Sequence, residues 1–195
     1  LRETTFRTRI PLRRFRRLIV FCNYIIKVFL RNPGAGFRSL NRTKYGKSAL
    51  NGELIISLYP YLKISKPSLI HCHFGPNGIL AEKVVSVLKW DIPLFVSFHG
   101  FDTVGPNLAD KDYARLFEKA SRVFANSNFL KRKIIELGCN PNKVSVIPVG
   151  VLNSEPKHCV EKAAGQFIFV TVGRLIEVTG VDYSLKAFRF VKAET

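Results

Sequence analysis

A chain of 195 residues, 47% of them hydrophobic, can bury one good core, or one core and part of a second. The net charge of +17 is unevenly placed: residues 1–49 hold thirteen basic side chains against the single acid Glu3, a net +12 that favours an anionic partner, either membrane lipid or nucleic acid. Cys22, Cys72, Cys139 and Cys159 are spaced too irregularly for a disulfide framework and fit a reducing compartment; the lack of any methionine suggests a partial chain, and no signal-peptide pattern leads into the fold.

The first predicted element runs from Ile10 to Leu30. Its apolar run, Leu18 to Leu30, is thirteen residues long and interrupted by Asn23 and Lys27, too short to span a bilayer. It reads as a helix packing one face on the domain, or as a helix lying in a membrane interface. Asn32-Pro33-Gly34 stops it, and residues 34–49 read as a basic loop. A second helix is expected over Gly52 to Lys63, with Leu54, Ile55, Leu58 and Leu62 on its buried side.

The stretch from Pro67 to Asp102 organises the rest. Ser68 to His73 is a short apolar strand, and Asn77 to Trp90 repeats apolar residues at Leu80, Ala81, Val84, Val85 and Leu88, as a helix does. Pro93 to Phe98 is apolar on both alternating faces, as strands of a helix-covered parallel sheet are. His73 and His99-Gly-Phe-Asp102 therefore lie just past the carboxyl ends of parallel strands, where doubly wound folds bind ligands. Gly105-Pro106-Asn107 is a loop, Ala109 to Lys119 a helix and Arg122 to Ala125 a strand. Asn126-Ser127 caps the next helix, which presents Leu130 and Ile134 to the core and stops at Gly138. Lys143 to Ile147 is the fourth strand. Strands alternating with helices predict an α/β fold with a right-handed parallel sheet.

Pro148 to Gly165 loses periodicity and reads as a linker. Gln166 to Val172 then predicts a buried strand and Gly180 to Ala193 a helix, the opening of a second α/β domain. The expected organisation is a basic segment over 1–50, a Rossmann-like domain over 51–148, a linker over 149–165 and the start of another domain over 166–195.

Four motifs carry possible chemistry. Gly75-Pro-Asn-Gly78 is either a plain tight turn or one that brings backbone N–H groups to a ligand; it matches neither the dinucleotide nor the phosphate-loop pattern. His71 and His73 face one side of their strand and Cys72 the other, so a metal site is not expected. His99 and Asp102, at a strand's carboxyl end, can bind hydroxyls or shift protons, or His99 can serve structure through backbone hydrogen bonds. Gly173-Arg174 before Gly180 sets a fixed cation beside a helix N-terminus, suited to a phosphate, unless Arg174 makes a surface ion pair.

HCHFGPNG, VSFHGFD, VFANSNFLKRKI, ELGCNPNKVSVIPVGV and TVGRLIEVTGVDYSLKAF, in this order, resemble retaining glycosyltransferases of family 4, particularly those that build exopolysaccharides such as colanic acid. The likeness runs from about Leu69 to Val191. It implies the GT-B architecture, two Rossmann-like domains with acceptor bound mainly by the first and sugar nucleotide by the second, without a metal or other cofactor. By the same resemblance His99 is the cleft histidine beside the donor sugar, and Asp102 shares its loop. Gly75 lies in the matching HCHFGPNG stretch, Asn126 and Ser127 open the helix facing the cleft, and Arg174, next to Gly173 in the donor-binding turn, neutralises the donor diphosphate. The lysine that usually accompanies this arginine is Thr179 here. The usual Pro-Asn-Gly-Val-Asp hinge reads Pro148-Val-Gly-Val-Leu152 and lacks its acid. The family's glycine-rich acceptor loop would lie upstream of Leu1, and its paired glutamates beyond Thr195.

The implied partners are a nucleotide-sugar, a lipid-linked or oligosaccharide acceptor and an anionic membrane surface, with the protein cytoplasmic and peripheral on the inner face of the membrane. Nucleic acid is not expected, because no recognised binding motif is present. Two other readings remain open: a GT-B sugar-nucleotide epimerase, and a non-enzymatic basic module binding membrane or nucleic acid.

Overall fold

A computed structural model of the chain describes residues 14–103, 113–150, 165 and 168–193. The chain divides into two units, Leu1–Gly150 and Val151–Thr195. The expected loop at Gly105–Asn107 and most of the linker, 151–164, lie outside the described residues, as does the start of the helix expected from Ala109.

The N-terminal unit opens with helix α1, Arg14–Arg31. Phe21, Tyr24, Ile25 and Val28 recur at helical spacing and pack inward, while Ile19, Ile26 and Leu30 face outward and are exposed. Asn32 does end α1, but it also starts the next helix: its side-chain oxygen accepts from the Ala35 N–H at 2.9 Å, and Pro33 occupies the first helical position. The expected loop over 34–49 is instead three short helices, α2 (Pro33–Ser39), α3 (Arg42–Tyr45) and α4 (Lys47–Leu50). Helices of four to seven residues are too short to display a period, and the caps that start α2 and α3, Asn32 and Asn41, look like loop residues in sequence. Helix α5, Glu53–Leu58, buries Leu54 to Leu58 between α1 and the next layer, and tightens into a 3-10 turn over Tyr59–Lys63.

Four strands follow, β1 (Ile70–His73), β2 (Leu94–Phe98), β3 (Arg122–Ala125) and β4 (Val144–Val146), interleaved with α6 (Gly75–Leu88), α7 (Ala114–Lys119) and α8 (Asn128–Glu136). The sheet is wholly parallel in the order β1-β2-β3-β4, with Cys72 beside Val96, Val96 beside Val123 and Val123 beside Val144. This is the predicted α/β, Rossmann-like sheet. Because each strand is added beside the last, right-handed crossovers bring α6, α7 and α8 to one face. There Leu94, Val96, Phe98, Val123, Ala125 and Val144 bury against Ala81, Leu116, Phe117, Leu130 and Ile134. The far side of α6, through Val84 and Val87, carries the second cluster, shared with α1 and α5.

The opposite sheet face departs from the expectation of helices on both sides. His71, His73, Phe95, Ser97 and Phe124 look into a cavity of about 490 Å³. The consecutive strand order explains this, since among the described residues it brings the crossover helices to the other face.

In the C-terminal unit the expected helix is present as α9, Val181–Ala193. The strand expected over 166–172 is not formed: residues 168–172 are described without any ladder, and 166–167 lie outside the described residues. An extended segment becomes a strand only by pairing with a neighbour.

Candidate functional site

The carboxyl ends of the strands build one rim. His73 closes β1, His99 follows β2, Asn126 follows β3, and Ile147 and Val149 follow β4; all line the same cavity. His73 Nδ1 lies 3.2 Å from His99 Nε2, so one ring donates to the other. The two rings stack at 5.5 Å between centroids, and His71 stacks on His73 at 4.8 Å. His71 Nε2 is 2.8 Å from Ser97 Oγ. Burial, then the neighbouring His73, lowers the pKa of His71. A row of three imidazoles thus runs from the sheet face to the rim, beside Phe95 and Phe124.

His99 is held from behind by Asp102. Asp102 Oδ2 accepts from the His99 N–H and the Asp102 N–H donates to the His99 carbonyl, both at 2.8 Å. Asp102 is only 1% exposed, so it fixes the backbone of His99 rather than facing the cavity. Its Oδ1 is buried without a hydrogen-bond partner, and its carbonyl accepts from the Tyr113 hydroxyl at 3.2 Å. Burial, and next the Asp102 carboxylate, push that hydroxyl up to about 12, which keeps it a neutral donor.

Gly75 and Gly78 belong to the first turn of α6, which starts two residues earlier than expected. A Cβ at Gly75 would sit 2.7 Å from the Tyr113 ring and 2.8 Å from Phe98, and one at Gly78 would sit 3.0 Å from Leu116 and Val96. These glycines are required by close packing of α6 on β2 and α7; Gly75 is buried, away from the cavity. The turn is made by Phe74, whose φ of +72° is strained for a bulky side chain. That conformation brings the Phe74 ring to 4.6 Å from His99. Cys72 points to the helical face, and burial pushes its thiol up to about 11, leaving it unreactive.

Asn126 lines the cavity, whereas Ser127 accepts the Leu130 N–H at 3.1 Å and caps α8. His99 and Asn126 thus meet at the cavity, with Asp102, Ser127 and Gly75 packed behind the rim. The sequence placed His73 at the ligand-binding rim and weighed His71 only as a metal ligand; it gave no role to Phe95 and Phe124. The alternation His-x-His on a strand ending at the rim was the available signal for the imidazole row. Among the described residues, no group of three or more His, Cys, Asp or Glu could hold a metal ion.

In the C-terminal unit, Gly173, Arg174 and Thr179 share one tight loop. The Thr179 hydroxyl lies 2.5 Å from the Arg174 carbonyl and 2.6 Å from that of Ile176, so it is committed to closing the loop. Arg174 is exposed just before this turn.

The family model of Glycosyltransferase Family 4 matches residues 13–152, a span that contains the entire sheet and its rim. The chain belongs to glycosyltransferase family 4. It is 30% identical over 169 residues to WcaL of Salmonella typhimurium, assigned as a colanic acid biosynthesis glycosyltransferase, covering 82% of this chain and 40% of the relative. It is 28% identical over 126 residues to the amylovoran biosynthesis glycosyltransferase AmsK of Erwinia amylovora, 63% of this chain and 31% of that one. WcaL of Escherichia coli is 24% identical over 164 residues, 81% of this chain and 40% of the relative. The chain therefore spans about two fifths or less of the length of these family members. No solved structure matches it.

Proposed function

We propose that this chain is part of a glycosyltransferase of exopolysaccharide biosynthesis that moves a sugar from a nucleotide-sugar to a lipid-linked or oligosaccharide acceptor, with retention of configuration. The observation that carries this reading is the position of His99: inside the family-matched span, at the carboxyl rim of the parallel sheet, hydrogen-bonded to His73 and lining the cavity. On this reading the N-terminal unit is the acceptor side of a GT-B enzyme, and the Gly173–Thr179 loop with α9 opens the donor side.

The chemistry calls for the residue types present. Breaking the sugar–phosphate bond builds positive charge on the sugar ring and negative charge on the departing diphosphate. Arg174 supplies a fixed cation for that diphosphate, without a metal. In a retaining reaction the acceptor attacks from the leaving-group face, and the departing phosphate takes its proton. His99 then orients a sugar hydroxyl, with its own ring set by His73 and its backbone by Asp102. Phe95 and Phe124 offer apolar surface to a sugar ring.

The outer stripe of α1, Ile19, Ile26 and Leu30, suits contact with a membrane surface. Beside it Lys27, Arg31 and Lys63 all stand within 6 Å of the Tyr59 ring. No helix among the described residues is long and apolar enough to cross a membrane. On the proposed reading the contact is peripheral, at the cytoplasmic face. Co-sedimentation tests it: binding should be strong with anionic vesicles, absent with zwitterionic ones and weakened by salt, at about 1 kcal/mol per basic residue near the surface. Equal binding to both lipid types would sink the electrostatic account.

The activity itself is tested by incubating the chain, completed at both ends from the colanic acid relative, with a panel of sugar nucleotides and polyprenyl-linked acceptors. Transfer with retained anomeric configuration is expected. Inversion, or hydrolysis alone, would reject the reading.

A further inference from the structure

A second hollow lies on the N-terminal unit, bounded by the α3–α4 corner and by α6 and α7. It measures about 520 Å³, and four cationic residues from four elements line it: Lys44, Lys47, Lys83 and Arg115. Gly46, with a φ of +53° and nothing within 4 Å of where a Cβ would lie, makes the corner that turns Lys44 and Lys47 toward the same hollow.

The acid lining the hollow is Glu82, which is 3% exposed and engaged with Arg115 at 2.7 Å. Arg115 also donates to the Lys44 carbonyl at 2.7 Å and lies over the Tyr45 ring, so its guanidinium is fixed and balanced. Lys83 donates to Ser48 Oγ at 2.8 Å, and Ser48 donates to Glu53 at 3.1 Å. Among the described residues, none of Lys44, Lys47 and Lys83 has a carboxylate within ion-pair distance. Cations on a merely solvated face spread apart. Here, among the described residues, three lysines without a paired carboxylate line one concavity with a fixed guanidinium, an arrangement that favours the entry of an anion.

We infer that this hollow binds a phosphate or diphosphate group. Lysines act on phosphate as point charges and need no fork geometry, which suits an open hollow lined by several of them. Resting on the function proposed above, the group belongs to the acceptor's lipid diphosphate, because the hollow lies on the acceptor side and the donor diphosphate has Arg174.

Isothermal titration of the full chain with inorganic pyrophosphate, at fixed ionic strength, tests the site. Lys47→Glu with Lys83→Glu should weaken binding about tenfold or more. Lys131→Glu with Arg132→Glu on α8, an equal change in net charge, should leave it nearly unchanged. The milder pair Lys47→Gln with Lys83→Gln should fall between, and unchanged melting of each variant guards against misfolding. Equal weakening by the α6/α4 and α8 pairs, or no binding at all, overturns the site. Tighter binding of a short polyprenyl diphosphate in neutral detergent than of pyrophosphate supports the lipid assignment; equal affinity removes it. Pyrophosphate binding without sugar transfer in the completed enzyme would leave the site standing and remove the proposed function. Sugar transfer without pyrophosphate binding would do the reverse.

Discussion

The two units are written in the same kind of sequence, an apolar run followed by a periodic helix, yet they fold to different extents. In the N-terminal unit each of four such runs pairs with a neighbour, and Phe98, Leu116 and Ile134 become nearly inaccessible. In the C-terminal unit α9 forms while residues 168–172 stay unpaired, and Val172, Leu175 and Phe190 are 93%, 86% and 71% exposed. A helix satisfies its own backbone within a few turns, whereas a strand borrows its hydrogen bonds from another strand. Local pattern is enough for α9. For 168–172 it is not.

The widest separation between the units should come from core truncation. Phe98→Ala in the sheet core should cost about 3–5 kcal/mol of unfolding free energy, while Phe190→Ala on α9 should stay within about 0.5 kcal/mol. Denaturant melts of the two variants check this, and comparable losses would mean the C-terminal unit has a core of its own. Next comes Arg115→Met, which strands the buried Glu82 carboxylate and should cost about 3 kcal/mol; a double variant with Glu82→Gln should recover part of it.

A smaller effect probes the C-terminal loop in the completed enzyme. Thr179→Lys should raise kcat/KM about tenfold by adding a charge on the leaving diphosphate. Arg174→Ala should be far more harmful than Thr179→Ala, since the threonine hydroxyl only closes the loop onto two carbonyls. A neutral Thr179→Lys with a mild Arg174→Ala would remove the donor phosphate from this loop. Ser127→Ala, which deletes the cap of α8, should cost about 1 kcal/mol in the same melts.

The smallest effect is a pH slope. The pKa of His71 is lowered in the folded chain, so the unfolded chain binds this proton more readily. Its contribution to stability is intact above the ordinary histidine value of about 6.5 and is lost as pH falls below it. His71→Gln should therefore flatten the fall in Tm on acidification relative to the unmodified chain.

Most of the sheet was legible because strands and helices there follow their periods and end at plain signals. Arg122–Ala125 needed no adjustment, and the Ser127 cap is where the sequence implied. Three features were not legible for identifiable reasons. Asn32 and Asn41 act as caps for helices too short to show a period. The bare sheet face depends on strand order, which no single strand encodes. Gly75 could be read as a plain tight turn or as a ligand-binding one, because only the packed neighbours, Phe98 and Tyr113, reveal that it is there to make room. At the site, His99 and Asn126 could be read from their place after a strand. The pairing of His99 with His73 could not, because it joins two strands whose register is set by the whole sheet.

The central claim is that the rim around His99 is where the acceptor meets the reacting sugar. Steady-state kinetics of the completed enzyme, with and without His99→Ala, tests it most directly. The account predicts a fall in kcat of about a hundredfold, with Tm preserved, because a mispositioned sugar hydroxyl loses its alignment for attack. A variant that transfers sugar within about twofold of the unmodified rate would contradict it, and would move the reaction away from this rim.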